Sequence, residues 1–313
     1  MSTRRSLTRL HQQISDELSR RIGSVQRELQ SVYRDVREEV QDEIAKMHER
    51  YAVQGELRRA EMTKYNRLTN LEKRLNKIAG RGSQKARARL TRLRETQFNA
   101  AFFRYAWAIE QHTGIQISWG MFSEDAVKAA IESDLYNRAV QELTRQNARR
   151  INRTVAESIT RGSSFSRMSR DIRRQVGNTR RDADRIARTE GARAQSIGQR
   201  KLHEQARDKG IDGKRVWIAT LDDRTRVTPP DKYDHGRLDG KEADPEKGFW
   251  IEQLGRYIPG PHESGEPAFD INCRCDVRYE VEELAPELRR IRDEEGLQPY
   301  VTFDEWYGER VEE

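Results

Sequence analysis

The chain has 313 residues, of which 35% are hydrophobic and 35% charged, and its formal charge is +7. That composition excludes one thick globular core over most of the length and favours an elongated or multi-part chain that meets polyanions. No window approaches the ~20 apolar residues of a spanning helix, and MSTRRSLTRLHQQ at the N-terminus lacks the apolar stretch of a signal peptide, so the reading is a chain made in the cytoplasm with no membrane partner.

Apolar residues recur at Leu7, Leu10, Ile14, Leu18, Ile22, Val25, Leu29, Val32, Val36, Val40, Ile44, Met47 and Tyr51, twelve steps over 44 residues or 3.67 residues per step. That period predicts one long helix, exposed on its other faces, whose narrow stripe is covered by the next helix or by a partner chain, including a second copy. Gly55 marks its end or a bend. A second helix is expected over 57–78, returning antiparallel and ending at a break at Gly80 and Gly82. A third is expected over 86–109, with Phe98, Phe102, Phe103, Tyr105 and Trp107 as helix–helix core. Residues 113–120 suit a turn or a short extended piece. Ser123, followed by Glu124 and Asp125, predicts an N-cap and a helix running to about Arg161. After Gly162, a short helix over 166–176 is expected to close at Gly177, with a longer one over 179–210.

The texture changes at Gly210. Most of the eight prolines and a run of glycines lie between 210 and 279, with short apolar pieces at 216–220 (VWIAT) and 277–281 (VRYEV). This predicts a small loop-rich α+β module with short strands. A further helix is expected over 285–292, and the remaining tail either docks by its aromatics or stays disordered.

Charge is distributed unevenly. Between Arg145 and Arg200 fifteen Arg and no Lys face five acids, a net +10 over 56 residues, whereas from Glu280 onward twelve acids face four Arg. Arg149, Arg150, Arg153, Arg173, Arg174, Arg180 and Arg181 are candidate contacts to phosphates of double-stranded DNA, without sequence readout, or to an acidic protein surface.

The two cysteines, Cys273 and Cys275, are one residue apart, too few for a disulfide framework and too close for an unstrained bridge. They are metal ligands or reduced thiols. With His235 and His262 they could complete a Cys2His2 set for zinc, although not with zinc-finger spacing; the alternative is two small buried hydrophobes with the histidines bridging loops. Asp222, Asp223, Arg224 and Arg226 follow the strand ending at Thr220. They read either as a carboxylate cluster at a strand end or as an Arg–carboxylate fork pinning the loop. Asn272 and Arg274 are assigned similar loop-tying roles, and Trp217 is assigned to the core.

Taken in order, RIARTEGARAQSIGQR (185–200), KRVWIATLDDRTRVTPPDKYDHGRLDGK (214–241), the Phe249-Trp250 pair and IPGPHESGEPAFDINCRCDVRYE resemble the phage Mu F-like, or phage head morphogenesis, family. The resemblance covers 185–281. It rests on an Ala-Arg-Thr-Glu helix, a strand ending in Trp, an Asp-x-Arg-Thr-Arg turn, a His before Leu-Asp-Gly and a closing Asn-Cys-Arg-Cys. VTPPDKYD, between Arg226 and His235, is longer and more proline-rich than that pattern. The resemblance implies Arg188, Glu190, Trp217, Asp222, Arg224, Arg226, His235, Asp239, Gly240, Asn272 and Arg274 as structural signature residues, and a role in the virion, with no reaction attached.

The expectation is therefore an α+β chain: long helices or a helical hairpin over 1–110, a basic helical region over 111–209, a small Mu F-like module over 210–282 and an acidic tail over 283–313. The function expected from the resemblance is that of a minor capsid protein inside the virion, associated with the portal, scaffold or major capsid protein. The rival is a metal-dependent nuclease or toxin-like effector using Asp222, His235, Cys273 and Cys275, against which no HExxH, HNH-like arrangement or phosphate-cradling glycine loop is legible. A cellular coiled-coil scaffold is a second rival.

Overall fold

The apolar stripe of the first helix is covered by its own chain. In the computed structural model, which describes residues 2–114, 116–222, 224–284, 303, 307 and 308, that stripe lies on one continuous helix, α1 (Ser2–Tyr51). Leu18, Leu29, Val40 and Ile44 on it are at most 1% exposed. The remaining elements are α2 (Arg59–Thr63), α3 (Arg67–Thr113), α4 (Glu124–Ala130), α5 (Asp134–Thr160), α6 (Phe165–Asp208), β1 (Ile211–Ile218), β2 (Phe249–Ile251), β3 (Arg256–Ile258), α7 (Pro267–Asp270) and β4 (Asp276–Leu284). The fold is α+β, and no described helix is long and apolar enough to cross a membrane.

Two units can be distinguished by contacts: Gly23–Arg92 with Ser133–Ala187, and Met1–Ile22 with Leu93–Glu132 and Arg188–Glu313. The first is a helical bundle whose register is fixed by polar cross-links. Glu43, Glu39 and Glu28 on α1 meet Arg74, Arg81 and Arg89 on α3, so rising numbers on one helix face falling numbers on the other. Asn147 and Asn152 on α5 bond Ala79 O and Asn76 on α3. Arg150 on α5 pairs with Asp182 on α6 at 2.8 Å, and Gln26 and Gln41 on α1 reach Asp184 O and Ser169 on α6. Every neighbouring pair in the ring α1–α3–α5–α6 thus runs antiparallel, which makes an up-down-up-down four-helix bundle. The antiparallel return after α1 is as expected, and the next helices rather than a partner chain cover the stripe.

Four boundaries differ from expectation. The chain does not break at Gly80 and Gly82, because α3 runs straight through both. At Gly82 an added Cβ would stand 2.3 Å from Val36 Cγ2, so the glycine allows close helix approach rather than ending the helix. Nor does Gly177 close a helix: α6 continues through it, and burial of Ile172, Val176 and Ala183 outweighs the modest cost of an interior glycine, about 1 kcal/mol. The helix after Ser123 is two helices, because Ser133 caps a second start by accepting from Tyr136 N, as Ser123 does from Ala126 N. The helix expected from 57 is α2, a turn with Tyr65 and Asn66 at positive φ, and then α3.

In the second unit β1 pairs antiparallel with β4, placing Trp217 opposite Val277 and Ile211 opposite Leu284, with a bulge between Asp212 and Gly213. β2 and β3 form a separate two-stranded ribbon. One core gathers Ile14, Leu18, Phe102, Phe103, Tyr105, Trp107, Leu202, Ile211 and Tyr279, which confirms the aromatic cluster as packing. Phe303 and Tyr307 dock there, edge-on to Trp107 and Phe103. The helix expected over 285–292, like most of the acidic tail, lies outside the described residues. A second core under the loops contains Trp217, Phe249, Ile258, Phe269, Cys273, Cys275 and Val277.

Candidate functional site: a cross-linked loop cluster and an arginine face

The loops between β1 and β4 converge on the CxC pair. Trp217 is fully buried, edge-on to Phe249 at 5.1 Å and Phe269 at 6.4 Å. Its backbone pairs with the returning chain, N to Lys241 O at 2.8 Å and O to Gly240 N at 2.9 Å. The turn before that return needs Gly240 at φ 75 and is tied by Asp239, whose carboxylate accepts from Ala219 N at 2.9 Å.

Asp222 is the acceptor of an Arg–carboxylate fork. Both oxygens accept from the Arg274 guanidinium, and Oδ1 also accepts from Arg224 N at 3.0 Å. The Arg274 bonds hold the carboxyl far below its ordinary range, against a smaller opposing effect of desolvation. Arg224 contributes its backbone; its exposed guanidinium stands 3.8 Å from the same carboxylate. Arg226 donates to the carbonyls of Phe269 and Ile271, while its own carbonyl accepts from His235 N at 2.9 Å. Asn272, at φ 59, donates its N to Thr189 Oγ1 at 3.3 Å and receives Arg188 Nη2 at 3.5 Å. The module therefore fastens onto α6. Glu190 lies deeper, paired with Arg94 at 3.3 Å; burial raises its carboxyl above the ordinary range, with Arg94 and Arg193 opposing.

His235, Cys273 and Cys275 meet in space. Their ligand atoms all lie within 4.8 Å of one another, and all three residues are buried. Hydrogen bonding from Cys275 lowers the Cys273 thiol despite burial, and the same contact together with burial raises Cys275. His262 does not join them. Its Nε2 bonds Cys275 O at 3.2 Å, so the expected Cys2His2 set reduces to three side chains, and the fourth position is a clamp on the backbone of the CxC turn.

Several tying residues had no signal in the sequence. Asp270 is buried and accepts from Ser264 Oγ at 2.7 Å and Gly265 N at 2.9 Å. Glu263 receives Arg200 at 2.9 Å and Ser196 at 3.1 Å. Asp276 receives Ser15 at 2.9 Å and Gln195 at 3.3 Å; burial opposes its charge, but His11 and Ser15 hold it below the ordinary carboxylate range. Each is one acid among many in the sequence, and only tertiary contact distinguishes it. As a whole, the cluster ties its charges to its own loops: Asp222 to Arg274, Arg226 to the carbonyls of Phe269 and Ile271, and Asp270 to Ser264 and Gly265.

The basic region presents a different surface. At 100° per residue, Arg167, Arg170, Arg174, Arg181 and Arg185 fall within an arc of about 60° on α6, a stripe about 27 Å long. All five are exposed. Arg174 and Arg185 have helix-neighbour carboxylates, Asp171 and Asp182, and Arg180 leans on Asp184 at 3.8 Å. Among the described residues Arg167, Arg170 and Arg173 have no carboxylate within 4.0 Å. Arg149 is exposed on α5; Arg150 is committed to Asp182 and Arg153 to Glu157 at 2.7 Å. Of the seven arginines expected as contacts, Arg174 and Arg181 lie on the stripe, and Arg167, Arg170 and Arg185 are additions to it.

Residues 149–278 match the family model of phage Mu protein F like proteins. Over that segment the chain is similar to the Mu F-like family. The matched segment begins in α5, before the resemblance that starts at Arg185, and so takes in the arginine stripe as well as the CxC cluster. The chain is 29% identical over 295 residues to the minor head protein GP7 of Bacillus phage SPP1, covering 91% of this chain and 92% of that protein. It is 28% identical over 249 residues, 78% of this chain, to the NAD(+)–arginine ADP-ribosyltransferase EFV of Enterococcus faecalis, and spans about half (50%) of that protein's length. No solved structure matches.

Proposed function

We propose that this protein is a minor head protein of a tailed bacteriophage, made in the host cytoplasm and built into the head during morphogenesis, in contact with the portal and with scaffold or major capsid protein. The observation that carries this reading is the end-to-end similarity to the SPP1 minor head protein, over 91% of this chain and 92% of that one. The physical design agrees with an assembly role. The loop cluster uses its polar groups on itself, and the bundle turns a row of cations outward. We assign that row to non-specific contact with packaged double-stranded DNA, since guanidinium groups bind phosphates bidentately and release counterions as they do so. The test is co-purification: tagged protein is isolated from infected cells, and procapsids and filled heads are probed for it alongside the portal. Its presence in both particles is expected, and its absence from assembled heads would remove the reading.

The similarity to an arginine ADP-ribosyltransferase favours a second, toxin-like reading. Because this chain spans half of that protein and nearly all of a head protein, we assign the shared part to head structure and the transferase activity to the remainder of that protein. Incubation of the purified chain with labelled NAD+ and an arginine-rich acceptor separates the two: transfer of label would establish the enzyme.

A further inference from the structure

We propose that His235 Nδ1, Cys273 Sγ and Cys275 Sγ bind one zinc ion that staples the loop after β1 to the turn before β4. This site stands apart from the head-protein reading and is tested separately. His235 Nδ1 lies 3.4 Å from Cys273 Sγ and 3.5 Å from Cys275 Sγ. With Zn–N near 2.0–2.1 Å and Zn–S near 2.3 Å, the N-to-S edge of a tetrahedron about zinc is about 3.5 Å. A sulfur–nitrogen hydrogen bond has a similar length, so the distance alone does not decide. The number of partners favours a metal: a neutral imidazole nitrogen offers one proton or one lone pair, and here one nitrogen faces two sulfurs. A cation at the centre satisfies all three lone pairs together.

The surroundings hold the donors in place. The His235 ring packs on Phe269 at 4.4 Å. Its Nε2 is 3.5 Å from Arg226 Nη1, at the outer limit of hydrogen bonding, and that guanidinium already donates to the carbonyls of Phe269 and Ile271. Nδ1 is thereby aimed at the sulfurs. Cys275 N donates to Cys273 Sγ at 3.4 Å, the backbone support an electron-rich sulfur requires. The CxC turn is gripped on both sides, by His262 on Cys275 O and by the Asp222 fork on Arg274. Two soft sulfurs and an imidazole select zinc over magnesium or calcium, and two thiolates balance its charge. Among the described residues no fourth His, Cys, Asp or Glu reaches the group, which leaves the last tetrahedral position to water. A small loop-rich unit gains most from such a link.

The test uses the full chain, purified under reducing conditions and passed over gel filtration after exposure to zinc or cobalt. Elemental analysis should give one zinc per chain. The cobalt form should show thiolate-to-cobalt charge transfer and the intense visible bands of a four-coordinate site. Zinc should slow alkylation of both cysteines. Cys275→Ser and His235→Ala should abolish retention, and His262→Ala should keep it. Wild-type protein that retains neither metal, with thiols alkylated equally fast in its presence and absence, overturns the site. Metal loss in His262→Ala with wild-type circular dichroism overturns the three-ligand assignment. Should the ligand variants fail to fold, the wild-type cobalt spectrum and alkylation rates decide alone.

Discussion

Gly82 on α3 lies so close to Val36 on α1 that a single added carbon would come to 2.3 Å of the valine methyl. Gly82→Ala is therefore expected to destabilise the bundle by about 1–3 kcal/mol through overpacking, and Val36→Ala in the same chain should recover part of the loss. Gly177 is the control of opposite sign. It is helical with nothing within 4 Å of an added Cβ, so Gly177→Ala should gain about 0.5–1 kcal/mol. Denaturant midpoints of the three variants measure both effects.

Arg94 and Glu190 form a buried ion pair with side chains 8% and 7% exposed. Removing one partner strands the other charge, so Arg94→Ala should cost about 3–5 kcal/mol. Burial already raises the Glu190 carboxyl, so the variant regains stability as falling pH protonates it. Glu190→Gln added to Arg94→Ala should restore part of the loss at neutral pH, and thermal melts across pH would reveal the pattern.

His203 is buried and stacked on Tyr279 at 4.3 Å. Burial, reinforced by Arg215 and His11, holds its pKa well below the ordinary 6.5. The unfolded chain therefore binds a proton first. The stabilising contribution is complete above about pH 6.5 and is lost below it, at up to about 1.4 kcal/mol per pH unit, until the folded-state pKa is reached. Melting temperatures measured from about pH 7 to about pH 5 should fall, and the fall should be shallower in His203→Phe; an unchanged slope would contradict this assignment.

The helical part was legible because burial on a stripe leaves a period. The 3.67-residue spacing marked α1, and the Ser123 cap is local chemistry, whereas the second cap at Ser133 was hidden inside one helical pattern. Gly82 and Gly177 misled because a glycine's role depends on what faces it, Val36 in one case and open space in the other, and spacing carries no such information. The signature residues of the loop module were legible only as an ordered set of short motifs. Their pairing was not: Asp222 with Arg274 and His235 with Cys273 join positions 52 and 38 residues apart. His262 was assigned as a ligand on residue type alone, whereas its contact is with a backbone carbonyl, which no side-chain pattern encodes.

If the α6 stripe meets DNA, replacing Arg167, Arg170 and Arg181 with Gln should weaken duplex binding equally across unrelated sequences. Each lost phosphate contact should reduce the slope of log affinity against log salt by about 0.9. Substituting Arg150, which is occupied by Asp182, should change the slope little. Fluorescence anisotropy at several ionic strengths checks this, and a slope that stays constant would rule out the stripe as the contact.

Because β1 and β4 lie side by side from Ile211 opposite Leu284 to Ile218 opposite Asp276, the stretch they enclose enters and leaves at one doorway. Lengthening inside it, as in VTPPDKYD, leaves the β1–β4 ladder in register, while Glu263 and Asn272 within the stretch keep their own bonds to α6. Two cuts at that doorway would free both ends of the enclosed stretch, and any replacement would have to restore the bonds that Glu263 and Asn272 make to α6 as well as the flanking ladder.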